Sequence, residues 1–449
     1  MNRFLPEKLI ELANYTPTPL YVVGGFVRDF LSGMLAENTD IDVCSATDAD
    51  TFSSIAKERG FQILSVYKNT GTVKLRDSNG RDYEYTCFRS DKYVRGIHRP
   101  VSTFFTTDIT LDAKRRDFTA NAVYYDIKEQ KFIDPLNDGI SAIKEKRLTT
   151  VDNAKKVFGE DGLRLLRLAR QCATLGFTPD ESCLDGATQN ASLLKDISAE
   201  RIYQELLQIL SADKKHGLVD GAYNGLKLLD KTRTLDVILP ELALGRNMSQ
   251  RQDFHRYDVL EHTLRSVRYA SPSVRLAALL HDVGKPFCLL RDGNFYEHAV
   301  EGARIATDIL TRLKAPTKTI KHVSELVLWH MYDLDCKTGE TKLRKFLVGK
   351  SSEFIEDLML LKQADYSGCK DDVSTAPTVE KWRLLLAKMQ KENVPMQLNQ
   401  LAIKGNELIE IGVPAPSVST VLYKLLAHTA VNPTDNRKEK LLTLALKLL

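Results

Sequence analysis

Apolar and polar positions follow two different rhythms along this chain. Over the first part, short apolar or alternating runs are separated by turn-formers. Leu20-Tyr21-Val22-Val23 leads into two glycines and then a helix-like stretch from Phe26 to Leu31, closed by Gly33. Further strand-like runs lie at 40–44, 62–66, 72–75, 83–88 and 123–126, with Asp77-Ser78-Asn79-Gly80 marking a turn between two of them. From about Ile143 onward the spacing becomes helical, as in Leu163, Leu166 and Ala169, or Ile202, Leu206 and Ile209. The pattern predicts an α/β (α+β) head over residues 1–145 and a mostly helical remainder. That remainder divides softly into a neck (146–213), a body (214–375) and a tail (376–449).

Composition narrows the class. A chain of 449 residues with 43% hydrophobic and 27% charged residues has material for several cores and lies outside the disordered and fibrous ranges. No apolar stretch approaches the roughly 18 residues needed to cross a bilayer, and the first residues lack a signal-peptide apolar core. No membrane partner is expected. Seven scattered cysteines, never in a Cys-x-x-Cys pair, argue against a disulfide framework or a zinc ribbon and point to a reducing cytoplasm. The net charge of +4 says little. Between Arg89 and Arg116, however, Arg89, Lys92, Arg95, Arg99, Lys114, Arg115 and Arg116 face only Asp91, Asp108 and Asp112, with Tyr93, Phe104 and Phe105 interleaved. Cations beside aromatic platforms suit phosphates and unpaired bases, although a solvated loop can carry the same excess.

Three elements in the head carry candidate chemistry. Asp40-Ile41-Asp42-Val43 reads as a strand with both carboxylates on one face, a plausible cradle for magnesium, which takes hard oxygen ligands. Gly24-Gly25-Phe26-Val27-Arg28-Asp29 sits at a strand-to-helix turn, where backbone N–H groups and a helix N-terminus favour a triphosphate and Arg28 offers the main cationic fork. Arg115-Arg116-Asp117-Phe118-Thr119-Ala120-Asn121-Ala122 adds two adjacent guanidiniums that call for an anion. Glu84, in an alternating run, is either a third carboxylate near the metal or an outward strand residue.

These elements resemble, in order, the motifs of the class II tRNA nucleotidyltransferases, the CCA-adding enzymes and bacterial poly(A) polymerases of the DNA polymerase β superfamily. The resemblance spans roughly residues 20–210. It includes Asp134-Pro135 with Gly139, Glu160-Asp161-Gly162-Leu163-Arg164, which in the family selects the incoming base, and Glu200-Arg201-Ile202, which stabilises the adjoining helix. Asp161 and Arg164 are three apart on a predicted helix, so they share a face. They form either a base-reading acceptor and donor or an intrahelical ion pair of about 0.5 kcal/mol or less. The resemblance implies Asp40 and Asp42 as metal-binding catalytic residues. It implies Gly24, Gly25, Arg28, Arg115, Arg116, Asp117, Asn121, Asp161 and Arg164 as nucleotide contacts, and a mobile loop over Arg89–Thr107 in which Gly96 suits a lever.

A second constellation lies in the body. His281-Asp282 closes the apolar run Leu276–Leu280, His262 lies on an earlier helix, His298 and His330 lie beyond, and Asp365 ends another apolar helix. Mixed nitrogen and oxygen donors suit a transition metal such as manganese, nickel or cobalt. As an ordered set they resemble the HD phosphohydrolase domain, with His262, His281, Asp282 and Asp365 matching its four metal ligands and His298 and His330 matching a second metal. His322 matches nothing in that pattern. The expected function is addition of CMP, CMP and AMP to tRNA from CTP and ATP without a nucleic-acid template, with the body either a metal-dependent phosphohydrolase or a helical domain that keeps its ligands while serving mainly to bind tRNA. The alternatives are a poly(A) polymerase, a partial CC- or A-adding enzyme, and an HD hydrolase whose head merely binds nucleotide. Oligomeric state is not legible.

Overall fold

Where buried and exposed side chains alternate, the chain pairs into strands. The computed structural model describes residues 1–37, 39–92 and 101–448. The strands that build the head are β1 (Tyr21–Val23), β2 (Ile41–Ser45), β3 (Gln62–Tyr67), β4 (Thr72–Arg76), β5 (Asp82–Cys87), β6 (Arg89–Lys92), β7 (Ser102–Phe105), β8 (Tyr124–Asp126) and β9 (Lys131–Ile133). Seven form one mixed sheet in the order β3-β4-β5-β2-β1-β8-β9. β2 lies at its centre, parallel to β5 and antiparallel to β1. Ile41 and Val43 are buried while Asp42 between them is exposed, as a period of two requires. Asp40 precedes the first paired residue.

The segment read as a mobile loop begins and ends as an antiparallel pair, Arg89 opposite Phe105 and Lys92 opposite Ser102. Exposed Phe104 and Phe105 sit on it. Tyr93, Arg95, Gly96 and Arg99 lie outside the described residues, so the lever expected at Gly96 does too.

The helices that position chemistry are α1 (Gly25–Leu31), α2 (Leu163–Leu175), α3 (Ala199–Leu210), α4 (Gly221–Lys231), α5 (Val259–Tyr269), α6 (Arg275–Leu280), α7 (His298–Arg312), α8 (Thr317–Trp329) and α9 (Ser352–Lys370). The chain divides into two compact units, Met1–Ala243 and Leu244–Leu449. In the first, α3 buries Ile202, Leu206 and Ile209, each contributing about 1.5–3 kcal/mol. α4 buries Ala222, Leu226 and Leu229 and packs along α2. Residues 214–243, read from sequence as the start of the body, therefore belong with the head and neck. Among the described residues of the second unit the regular elements are all helices, with α9 against α5 and α7 against α8. All seven cysteines are free thiols. Among the described residues no helix is long and apolar enough to cross a membrane.

Candidate active site and metal centre

The turn between β1 and α1 brings the glycine motif onto the carboxylate strand. Val23 is paired with Asp42, so Gly24 passes directly over that side chain. A Cβ on Gly24 would stand 3.3 Å from Asp42 Oδ2, and its φ of 80° lies in the left-handed region. Only glycine meets both demands. Glu84 lies opposite Asp42 in the parallel register of β2 and β5 and joins it on one face, with Lys74 3.7 Å away.

All eleven head and neck residues expected from the sequence line one cleft of about 810 Å³: Gly24, Gly25, Arg28, Asp40, Asp42, Arg115, Arg116, Asp117, Asn121, Asp161 and Arg164. Arg167, Arg170 and Lys215 line it as well, giving seven cationic side chains against four carboxylates. Such an excess matches a polyanionic ligand. The helical spacing of Arg164, Arg167 and Arg170 carried the signal for the additional cations, which the sequence reading passed over.

The cations are held by internal acids. Asp112, fully buried, accepts from Arg115 Nε at 2.7 Å, Arg116 Nη2 at 3.0 Å and the Tyr124 hydroxyl at 2.7 Å. It is the anion the arginine pair called for. Each guanidinium has five donors, so this pairing leaves others for a ligand. Asp117, also buried, accepts from Asn121 Nδ2 at 2.9 Å and Arg167 Nε at 2.7 Å. Burial pushes its carboxyl up, but Arg167 and Asn121 outweigh that and hold it below the usual carboxylate range.

Arg28, the cationic fork expected at the triphosphate, is held by its neighbours. Its Nε and Nη2 donate to Asp29 Oδ1 at 2.8 and 2.6 Å, and its Nη1 donates to Asn121 Oδ1 at 2.7 Å. Asp29 has no exposed surface, and Lys215 Nζ lies 3.3 Å from its other oxygen. Arg28→Ala therefore strands a buried carboxylate. It is expected to lower stability by about 3 kcal/mol or more as well as weaken nucleotide binding, readable as a lower Tm beside a higher nucleotide Kd.

Asp161 and Arg164 do not share a helical face. Asp161 precedes α2, and its Oδ1 accepts from Leu163 N at 2.9 Å. Arg164, buried on α2, donates to Val157 O at 2.9 Å, Glu160 Oε2 at 3.0 Å and Arg115 O at 2.8 Å. Asp134, in the third motif, accepts from Ile140 N at 2.9 Å, a local structural bond. On α3, Glu205 pairs with Arg170 at 3.1 Å.

Asp42 is pushed up to about 6, first by loss of hydration on the cleft floor, then by the Glu84 charge, with Asp40 adding to it against Arg116 and Arg167. Crowded carboxylates of this kind fit a divalent cation, whose charge removes the repulsion. A proton and a cation then compete for Asp42. Activity is expected to fall as pH drops through about 6, and raising the concentration of divalent ion should move that acid limb to lower pH in a pH–rate profile.

In the second unit, His262, His281 and Asp282 converge, and Asp282, His298 and His330 form an adjoining group. His262 Nε2 lies 3.1 Å from Asp365 Oδ1 and 3.2 Å from Asp282 Oδ2, while His298 Nε2 lies 3.3 Å from Asp282 Oδ1. Asp282 thus offers one oxygen to each group. Close approach of chain segments makes this geometry. A Cβ on Gly284 would fall 2.2 Å from His298 O, so any larger residue would push α7 away. All six expected ligands meet here, whereas His322 pairs with Asp357 at 2.8 Å elsewhere. Burial pulls the His281 ring down, but Asp282 and Asp365 more than offset it and raise it to about 9. His330 is pushed down to about 3 by burial and then by His298 and His281. Lys285 Nζ, 2.6 Å from Asp282 Oδ2, is a further cation at the site that the sequence reading did not assign.

Residues 20–149 match the poly A polymerase head domain, 176–244 the probable RNA and SrmB-binding site of polymerase A, and 259–367 the HD domain. The chain is 31% identical to the A-adding tRNA nucleotidyltransferase of Deinococcus radiodurans, over 94% of each chain. It belongs to the tRNA nucleotidyltransferase family. Within that family it is 27% identical to the CCA-adding enzyme of Levilactobacillus brevis, over 96% of this chain and 94% of the relative. The crystal structure of the Bacillus stearothermophilus CCA-adding enzyme in complex with CTP superposes with a TM-score of 0.70 at 25% identity, covering 99% of this chain and 98% of that one. As a tRNA nucleotidyltransferase, the chain pairs its nucleotidyltransferase head with a helical remainder, as the sequence pattern predicts.

Proposed function

We propose that this tRNA nucleotidyltransferase adds CMP, CMP and AMP to tRNA 3′ ends from CTP and ATP, using protein atoms in place of a template. The reading is carried by one observation: a single cleft brings the Asp40 and Asp42 carboxylates, a set of arginines and the Asp161 and Arg164 pair together. The 3′-hydroxyl of tRNA would attack the α-phosphate in line, and pyrophosphate would leave. When bound by Asp40 and Asp42, magnesium would activate that hydroxyl and neutralise developing charge. Arg28, Arg115 and Arg116 would orient the triphosphate, Asn121 would touch the ribose, and Asp161 with Arg164 would read the base. The decisive experiment is product length after incubating tRNA lacking its 3′ end with CTP, ATP and magnesium, where three added nucleotides are expected. Similarity to the A-adding relative supports a second reading, addition of A alone. In that case only tRNA already ending in CC would be extended, by one residue.

The second unit supports a phosphohydrolase reading of its own, because two histidine-rich groups share Asp282. With manganese, nickel or cobalt the protein is expected to hydrolyse a 2′,3′-cyclic nucleotide. His281→Ala and Asp282→Ala should remove this while tRNA extension persists, since the extension cleft uses oxygen ligands in the first unit. Loss of extension in a still-folded His281→Ala protein contradicts separate sites.

A further inference from the structure

The histidines of the second unit are not equivalent. Nδ1 of His281, His298 and His330 lies 2.8, 2.8 and 2.6 Å from the carbonyls of Ala278, Phe295 and Val327, each three residues back. Such bonds fix the tautomer of a metal-binding imidazole. His262 breaks the pattern. Its ring is completely buried and its Nε2 faces Asp282 and Asp365, whereas its Nδ1 meets no backbone carbonyl and the ring's other neighbour is the Cys369 thiol. Nδ1 of His255, from the loop ahead of α5, is buried and unpartnered. The two rings lie 4.8 Å apart, and His255, His262 and Cys369 offer ligand atoms within 4.8 Å of one another.

We propose that His255, His262 and Cys369 form a further metal site for a thiophilic divalent ion such as zinc, using the nitrogen of His262 that the HD cluster leaves idle. Two imidazoles and a thiolate make three of the four positions of a tetrahedral zinc site and leave one open. The donor set differs in kind from the carboxylate-rich cluster beside it. The ligands are also preorganised. Arg256 N donates to Cys369 O at 3.0 Å, Lys370 Nζ to Asp253 O at 2.5 Å and the Tyr257 hydroxyl to Asp371 Oδ2 at 2.5 Å, so the His255 loop is tied to the end of α9. On α9, Asp365 and Cys369 are four residues apart and share a face, which sets both beside His262.

The shared ring couples the two sites. A neutral imidazole carries one N–H and one lone pair. With Nε2–H donating to Asp282 or Asp365, the lone pair sits on Nδ1 and can enter the His255 and Cys369 site. With Nε2 ligating a cluster metal, the proton moves to Nδ1 and that entry closes. Binding at the new site displaces the Cys369 thiol proton to solvent and disfavours metal at the cluster through His262.

Cobalt reports on this directly, because thiolate ligation produces a sulfur-to-cobalt charge-transfer band in the near-ultraviolet that nitrogen and oxygen ligands do not. Full-length protein titrated anaerobically with Co²⁺ is expected to develop that band. Cys369→Ser should abolish it, His255→Ala should abolish or weaken it, and His281→Ala, which removes a cluster ligand, should keep it. tRNA extension by Cys369→Ser and His255→Ala is expected to match that of the unsubstituted protein, since neither residue contributes to the extension cleft. Absence of the band in the unsubstituted protein, its survival in Cys369→Ser, or its loss in folded His281→Ala would overturn the proposal.

Discussion

Asp42→Ala is expected to reduce nucleotide addition by at least about 10³-fold, roughly 4 kcal/mol of transition-state stabilisation, while Tm stays the same or rises. The two effects separate because of where the carboxylate stands. Asp42 is exposed in the cleft between two buried neighbours, Ile41 and Val43, so its removal opens no cavity. Loss of hydration and the Glu84 charge already disfavour its ionised form, and deleting it relieves that strain. A carboxyl raised to about 6 from an ordinary value of 3.8 destabilises the folded state by an amount that builds between those two pH values and is complete above about 6, so any gain in Tm should be larger at about pH 8 than at about pH 5. Asp40→Ala should lose activity likewise. Primer extension of tRNA beside thermal melting at both pH values checks the pair of outcomes, and near-normal extension by either variant removes the metal-binding assignment.

How much of this was legible beforehand depends on the range of the interaction. β1, the glycine turn, α1 and the Asp-x-Asp strand are local, and periods of 2 and 3.6 mark them in sequence. Asp112 was visible only as a charge offsetting nearby basic residues, although its spacing of three and four to Arg115 and Arg116 placed it beside both. The engagement of Arg28 could not be read in full. Asp29 is its neighbour, but the burial of Asp29 and the approach of Lys215, 186 residues away, are products of tertiary packing. The sequence sets Asp161 on a helix with Arg164 because Glu160-Asp161-Gly162 looks continuous with Leu163-Arg164. One helix ends at Glu160 (Ala154–Glu160) and α2 begins at Leu163, with extended Asp161 between them accepting the Leu163 N–H. In the second unit the six expected ligands came from resemblance, since residues spread from 262 to 365 carry no local signal of convergence. His255 and Cys369 had neither a motif nor a period to mark them.

Base choice is the sharper test of the cleft. Cytosine N4 and adenine N6 are donors, whereas uracil O4 and guanine O6 are acceptors at the corresponding positions. One fixed carboxylate can therefore favour C and A together and repel U and G together, which a purely steric pocket cannot do across a pyrimidine and a purine. Asp161 is suited to this, because Leu163 N occupies one oxygen and fixes the group, and the residue lines the cleft. Arg164 is a poorer probe, since its donors also satisfy Val157 O, Glu160 and Arg115 O, and removing it strands buried acceptors. Asp161→Ala is expected to lower the preference for CTP over UTP, measured as a ratio of kcat/KM, by about 10²-fold or more. The lost bond to Leu163 N should cost only about 1 kcal/mol of stability. Asp161→Asn should go further in one respect. Its amide presents an acceptor in one orientation and a donor in the other, so it should incorporate UMP faster than the alanine variant does while retaining use of CTP. If both variants keep the original preference, Asp161 holds the start of α2 and the base is read elsewhere.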